Sequence, residues 1–434
     1  MSEIIHILIS MTTGNAMHEL VRQLYPITRS ITGNGVRETL QHIAEHIPVE
    51  LHEVATGTNV FDWTVPKEWN IADAYIKNEQ GERIVDFKKS NLHVVSYSVP
   101  VKQMMSLSEL RPHLFSLPEY PDRIPYRTSY YSESWGFCLR HEDLVKLPEG
   151  TYEVCIDSKL SDGSLTYGEY VLQGETEEEI LISSHICHPS LANDNLSGIV
   201  LATFLAKALQ LNPHRKYTYR FLFIPGTIGS IAWLATHQEH VKKIMGGLVL
   251  TGVGDSGLLH YKKSRMGNSR MDAAATAALQ ESGLPHGVLD FSPFGYDERQ
   301  YCSPGFNLPV GSLMRTPHGT YAEYHTSADN IDFVSPKSLE EGLALCQRIF
   351  AIFEGDVVYR NQFPFCEPQL GKRGLYEAMG QVPDEARQLQ LAMLWVLNLS
   401  DGEHSLLSIA QRSGMEFSLI RKAANLLVEH AIIL

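Results

Sequence analysis

The sequence predicts an α/β fold, a mostly parallel sheet flanked by helices, with an inserted β-rich unit and a C-terminal winged helix. Three observations carry this. Between Thr151 and Phe353, apolar runs of strand length alternate with segments of helical period, which calls for parallel strands covered by helices on both faces. Between Glu50 and Gly150, Trp63, Pro66, Trp69, Pro100, Pro112, Pro118, Pro121 and Pro125 punctuate short runs such as Asn91–Ser98, the texture of a β-rich unit with many turns. Towards the C-terminus, three helical segments joined by short turns follow the helix-turn-helix order.

Taken in chain order, Val36, Leu40, Ile43, Ala44 and Ile47 recur at helical spacing, so an amphipathic helix opens the fold after an irregular turn at Ser30–Asn34. Strands are predicted at Ile180–Ser183, Tyr217–Ile224, Gly247–Thr251 and Leu308–Met314, and helices at Leu196–Leu211, Ser230–His240, Met271–Ser282 and Ser338–Phe353. The irregular stretch Val357–Val382, with Pro364, Pro368 and the following Pro383, reads as a linker. Helices at Glu385–Leu397, Leu406–Arg412 and Phe417–His430 come next, separated by turns at Asp401–Gly402 and Gly414. The predicted domains are 1–50 with 151–356 for the α/β unit, 51–150 for the insertion, and 357–434 for linker and winged helix.

A chain of 434 residues has room for two or three compact units around at least one large core. Its formal net charge of -14 argues against a phosphate-binding surface, so nucleic acid is not expected as a partner. The last helix offers Arg421 and Lys422, but Glu416 and Glu429 flank them and Asp401 and Glu403 lie in the preceding turn. A docking role in a homo-oligomer suits that segment better than DNA contact. The six cysteines form no CxxC pair, which points to a reducing, cytoplasmic setting. The apolar run Ile4–Ile9 follows Glu3 and lacks a basic region, so no export signal is read there, and no stretch is long enough to span a bilayer.

The segment with most chemistry is Ser184-His-Ile-Cys-His-Pro-Ser-Leu-Ala-Asn-Asp-Asn-Leu-Ser-Gly198, between a buried strand and a helix. Open α/β sheets bind ligands at this end of their strands. Imidazole and carboxylate together suit Zn²⁺, so His185 and Asp194 are candidate metal ligands. The plainer alternative makes His185 a core histidine and Asp194 an N-cap for the helix at Leu196. A second segment, Thr316-Pro-His-Gly-Thr-Tyr-Ala-Glu-Tyr-His-Thr-Ser-Ala-Asp-Asn330, also follows a strand, and its His325 is the third candidate ligand.

These residues resemble the zinc aminopeptidases of the bacterial leucyl-aminopeptidase type. End to end, the chain is similar to a bacterial aminopeptidase-like family that joins such a core to an inserted β-domain and a C-terminal winged helix. Further matching segments are Arg29–Arg37, Phe61–Trp69, Pro125–Tyr131 and Cys187–Ser190. The resemblance implies that His185, Asp194 and His325 bind zinc, with Asp194 in the place of a bridging ligand. It also implies a small peptide or amide as substrate and metal-bound water as the attacking group. The classical enzymes carry a Glu-Glu pair where this chain has Pro225-Gly226, and a further Asp where it has Thr251-Gly252, with Asp255 displaced beyond. One zinc ion is therefore expected, and the general base must come from elsewhere. Glu323, Asp297 and Glu298 are the candidates, with a surface ion-pair cluster as the alternative for Asp297 and Glu298. Cys187 and His188 are read as supporting the ligands rather than binding metal. The alternative function is a zinc-binding scaffold, without turnover or with altered chemistry, in a polysaccharide or secondary-metabolite pathway.

Overall fold

The computed structural model describes residues 2–375 and 384–434, with side chains from residue 13 onwards within those ranges. Two compact units emerge: 1–267 with 287–343, and 268–286 with 344–434.

The first unit is built on an eight-stranded sheet, ordered Glu50–Ala55, Ser164–Leu172, Thr218–Ile224, Glu179–His185, Ile244–Leu250, Val310–Met314, Leu259–Lys262 and His286–Leu289. Its centre is parallel as predicted, Glu179–His185 pairing in parallel with Thr218–Ile224 and with Ile244–Leu250, which in turn pairs in parallel with Val310–Met314. Pairing turns antiparallel towards either side, at Ser164–Leu172 and at Leu259–Lys262. Every residue of the two middle strands Glu179–His185 and Thr218–Ile224 is buried, so their apolar runs are continuous rather than alternating. The helices Gly198–Gln210 and Ile228–Thr236 follow these strands directly. Four parallel strands thus end at His185, Ile224, Leu250 and Met314, and the loops after them share one rim of the sheet.

A four-stranded sheet, ordered Arg83–Asp86, Glu68–Lys77, Thr151–Ser161 and Val101–Ser106, forms the β-rich part. It has a core of its own, including Ala74, Ile76, Leu107, Phe137, Val154 and Ile156. Thr151–Ser161, assigned from sequence to the α/β unit, pairs in this second sheet. Asn91–Ser98 forms no strand: it begins as a 3-10 turn and makes only isolated bridges, from Val94 to Phe137 and from Ser96 to Thr128. The helix Ser2–Leu24, preceding the predicted opening helix, was not foreseen. Within its second half Met17, Leu20, Val21 and Leu24 are buried at helical spacing.

In the second unit, Asp384–Leu399, Leu406–Ser413 and Phe417–Glu429 are the three predicted C-terminal helices, and Asp401–Ser405, expected as a turn, pairs with Val358–Arg360. The linker reading falls partly on 376–383, outside the described residues. The backbone N–H of Phe417, in the first turn of the last helix, donates to Glu281 at 2.6 Å. Among the described residues no helix is long and apolar enough to cross a membrane, and all six cysteines are free.

Candidate metal centre

Asp194 sits at the rim of the sheet on the loop after Glu179–His185, and its neighbours in sequence explain how it is held. Asn195 donates from its amide to the His185 and Leu250 carbonyls and to Ser184 Oγ, while its Oδ1 accepts from Gly252 N–H. Asn193 accepts at Oδ1 from the N–H groups of Gly254 and Asp255. The two amides thereby stitch the loop to the neighbouring strand end. From the opposite side, the carboxylate of Asp329 accepts from the N–H groups of Asn193, at 2.6 Å, and Asp194, at 2.9 Å. Asp194 caps no helix; Ser197 occupies the N-cap of Gly198–Gln210.

The Asp194 carboxylate is shared. His185 Nε2 lies 2.9 Å from Oδ1 and His325 Nε2 lies 2.9 Å from Oδ2. His188 Nε2 approaches Oδ2 at 3.8 Å. Among the described residues, His185, His188 and Asp194 form a group whose ligand atoms all lie within 4.8 Å of one another. That group joins two of the three sequence-predicted ligands, His185 and Asp194, with His188, which the sequence reading kept outside; the third, His325, meets the far oxygen of Asp194 but is not a member of the group. Burial opposes charge on Asp194, but His188, His185 and His325 outweigh it and hold the carboxyl well below its usual range. Burial likewise pushes His185 down, and His188 well down; His185 is within hydrogen-bond distance of Asp194, whereas His188 at 3.8 Å is not.

The three candidate bases lie in different surroundings. Glu298 is fully buried, pairs with Lys262 and accepts from Tyr296 N–H, so it ties a loop together. Glu323 is partly exposed and faces Arg123 at 3.9 Å. Asp297 is fully buried; Oδ1 accepts from Ser230 Oγ at 2.7 Å and Oδ2 has no partner. Burial, reinforced by Glu298, pushes its carboxyl up to about 7. The surface-cluster alternative does not apply to Asp297 and Glu298, since neither is exposed. Asp255 is the turn residue: its carboxylate accepts from Gly257 N–H, Thr316 Oγ1 and Asn193 Nδ2.

Several residues here were not singled out from sequence. Arg29 is buried and donates to the carbonyls of His188, Pro189 and Leu24, fixing the loop that carries His188. The β-rich insertion sends in Tyr126, whose ring centroid lies 5.1 Å from that of His188 and 5.2 Å from that of His325, and whose N–H donates to the His325 carbonyl. The rings of Tyr324 and His325 stack at 4.0 Å, and His318 lies beside Tyr324. Nε2 of His318 is buried without a partner, and its electrostatic neighbours include Asp194 and His185. The motifs Arg29–Arg37 and Pro125–Tyr131 held the signal for Arg29 and Tyr126; nothing in sequence marked His318.

The donor set suits a zinc-type cation: neutral imidazoles and one ionised carboxylate, pre-gathered. One departure is the Nδ1 of His185, which is buried with no hydrogen-bond partner.

Comparison with known proteins agrees with this architecture. Residues 18–356 match the family described as "Domain of unknown function (DUF4910)", and residues 357–434 match a winged helix-turn-helix family. A Clostridium acetobutylicum protein named "Putative polysaccharide biosynthesis protein with aminopeptidase-like domain" is 53% identical over 418 residues, covering 96% of each chain. The crystal structure of a "putative peptidase" from Clostridium acetobutylicum superimposes with a TM-score of 0.93 at 51% identity, over 99% of this chain and 98% of that one. A zinc aminopeptidase from Bacillus subtilis shares the fold at a TM-score of 0.56 and 12% identity, over 77% of this chain and 94% of that one. The chain thus belongs to the DUF4910 family, an aminopeptidase-like α/β fold followed here by a C-terminal winged helix.

Proposed function

We propose that this chain is a zinc-dependent, aminopeptidase-like hydrolase of small peptides or amides, with one ion held by His185, Asp194 and His325 and with His188 in reach. The observation that carries the reading is the buried Asp194 carboxylate, met by an imidazole on each oxygen. Zinc bound there supplies a Lewis acid that polarises an amide carbonyl and makes water a nucleophile near neutral pH. A second divalent ion would find few anionic ligands, because the carboxylates of Asp255, Asp329 and Glu298 already serve other donors. Asp297, with a proton affinity matched to neutral pH and one oxygen free, is the best suited of the three candidate bases to hold and pass a proton. His318 offers its free Nε2 to a substrate carbonyl oxygen.

A second reading, a metal-holding scaffold without turnover, is favoured by one feature. A Cβ at Gly226 would fall 2.0 Å from Tyr296 Cε1, so an aromatic ring fills the ground where the resemblance would place a catalytic Glu. The name of the Clostridium relative would set such a scaffold in polysaccharide biosynthesis. Turnover of a panel of aminoacyl amides and N-acyl sugars, by wild type and His185→Ala, separates the readings. The hydrolase predicts activity that a chelator removes, zinc restores and His185→Ala lacks. Zinc-loaded wild type without turnover on any member of the panel would favour the scaffold.

A further inference from the structure

A metal-ligating histidine usually donates its second ring N–H to a carboxylate or carbonyl, which fixes the ring for the ion. Nδ1 of His185 has no such acceptor. What meets the ring instead is Tyr296: the two centroids are 3.7 Å apart and the planes 28° from parallel. The tyrosine is anchored at its far end, its hydroxyl 3.1 Å from the Cys187 sulfur and 3.3 Å from the Gly226 carbonyl oxygen. Its backbone N–H donates to Glu298, which Lys262 holds in turn. Residue 226 must be glycine for the ring to lie there, since any Cβ would collide with Cε1.

We propose that Tyr296 is the positioning residue for His185: a stacked ring, admitted by Gly226, orients the imidazole where a hydrogen bond at Nδ1 would otherwise do so. This rests on the reading of His185 and Asp194 as metal ligands, and it adds that the site depends on a residue that does not touch the ion. Removing the outer support of a ligating histidine typically lowers metal affinity ~10–100-fold.

The test is Co²⁺ and Zn²⁺ affinity by chelator competition, together with the visible absorption of the Co²⁺-loaded protein. Wild type is compared with Tyr296→Phe, Tyr296→Leu and Gly226→Ala. Tyr296→Phe keeps the stack and should bind within about threefold of wild type, with an unchanged Co²⁺ spectrum. Tyr296→Leu should bind ~10–100-fold more weakly, and Gly226→Ala, which expels the ring while leaving tyrosine in the sequence, should follow it. Should Tyr296→Leu misfold, the pair Tyr296→Phe and Gly226→Ala still decides. Wild-type affinity in Tyr296→Leu or Gly226→Ala would overturn the inference, and so would a loss in Tyr296→Phe as large as in Tyr296→Leu. Wild type that binds neither metal would overturn the underlying reading, and the inference with it.

Discussion

Asp194 and Asp297 are both buried carboxyl groups, yet they are driven to opposite protonation states by what surrounds them. Three imidazoles converge on Asp194 and keep it ionised, whereas Asp297 has one hydroxyl donor and Glu298 beside it, and so holds its proton up to about 7. This fixes a sign for stability. In the unfolded chain the Asp297 carboxyl titrates near its ordinary 3.8, so between that pH and about 7 the folded form binds a proton that the unfolded form lacks. Stability contributed here falls as pH rises through that window, and above it the folded state carries a penalty of up to ~4 kcal/mol. Asp297→Asn removes the penalty. In urea unfolding the variant should match wild type at pH 4 and exceed it at pH 8; an equal difference at the two pH values would contradict this. The candidate ligands could be picked out in sequence because His185 ends a strand and Asp194 and His325 lie in the segments that follow strand ends. His188 and His318 could not, because loops have no period and only the closed fold shows which way a loop residue faces.

Among the elements, those with a clean period or a long apolar run could be read directly. The helix Asn34–Ala44 and the four parallel strands lie where their patterns predict. The consecutive strands Thr151–Ser161 and Ser164–Leu172, which part into different sheets, escaped, because Ser164–Leu172 is buried almost throughout and shows no alternation, and because pairing partners belong to topology rather than composition. The turn at Ser30–Asn34 has a physical reason that sequence only hinted at. Gly33 takes φ 102° against the backbone of Trp69, and a Cβ there would fall 2.0 Å from the Trp69 carbonyl oxygen. Trp69 N–H in turn donates to Thr32 Oγ1, locking the second sheet to the turn before that helix. Gly33→Ala should therefore destabilise the protein by about 2–4 kcal/mol, read from the shift of the denaturant midpoint at unchanged slope. A loss below about 0.5 kcal/mol would mean that the turn yields without strain.

In the molecule as a whole, the β-rich insertion is part of the site: Tyr126 packs beside His188 and His325, and Ile124 and Ser327 exchange hydrogen bonds across the same seam. In the second unit the winged-helix segment keeps Arg421 and Lys422 of its last helix exposed. The first turn of its last helix is seated on Glu281, and Arg421 donates to the Ala351 carbonyl. The proposed function rests on one buried carboxylate, Asp194, and the imidazoles around it. Zinc content after exhaustive dialysis, measured by elemental analysis on wild type and Asp194→Asn, tests that most directly. About one zinc per chain is expected in wild type and close to none in the variant. Metal-free wild type, or a variant that keeps as much zinc as wild type, would contradict it.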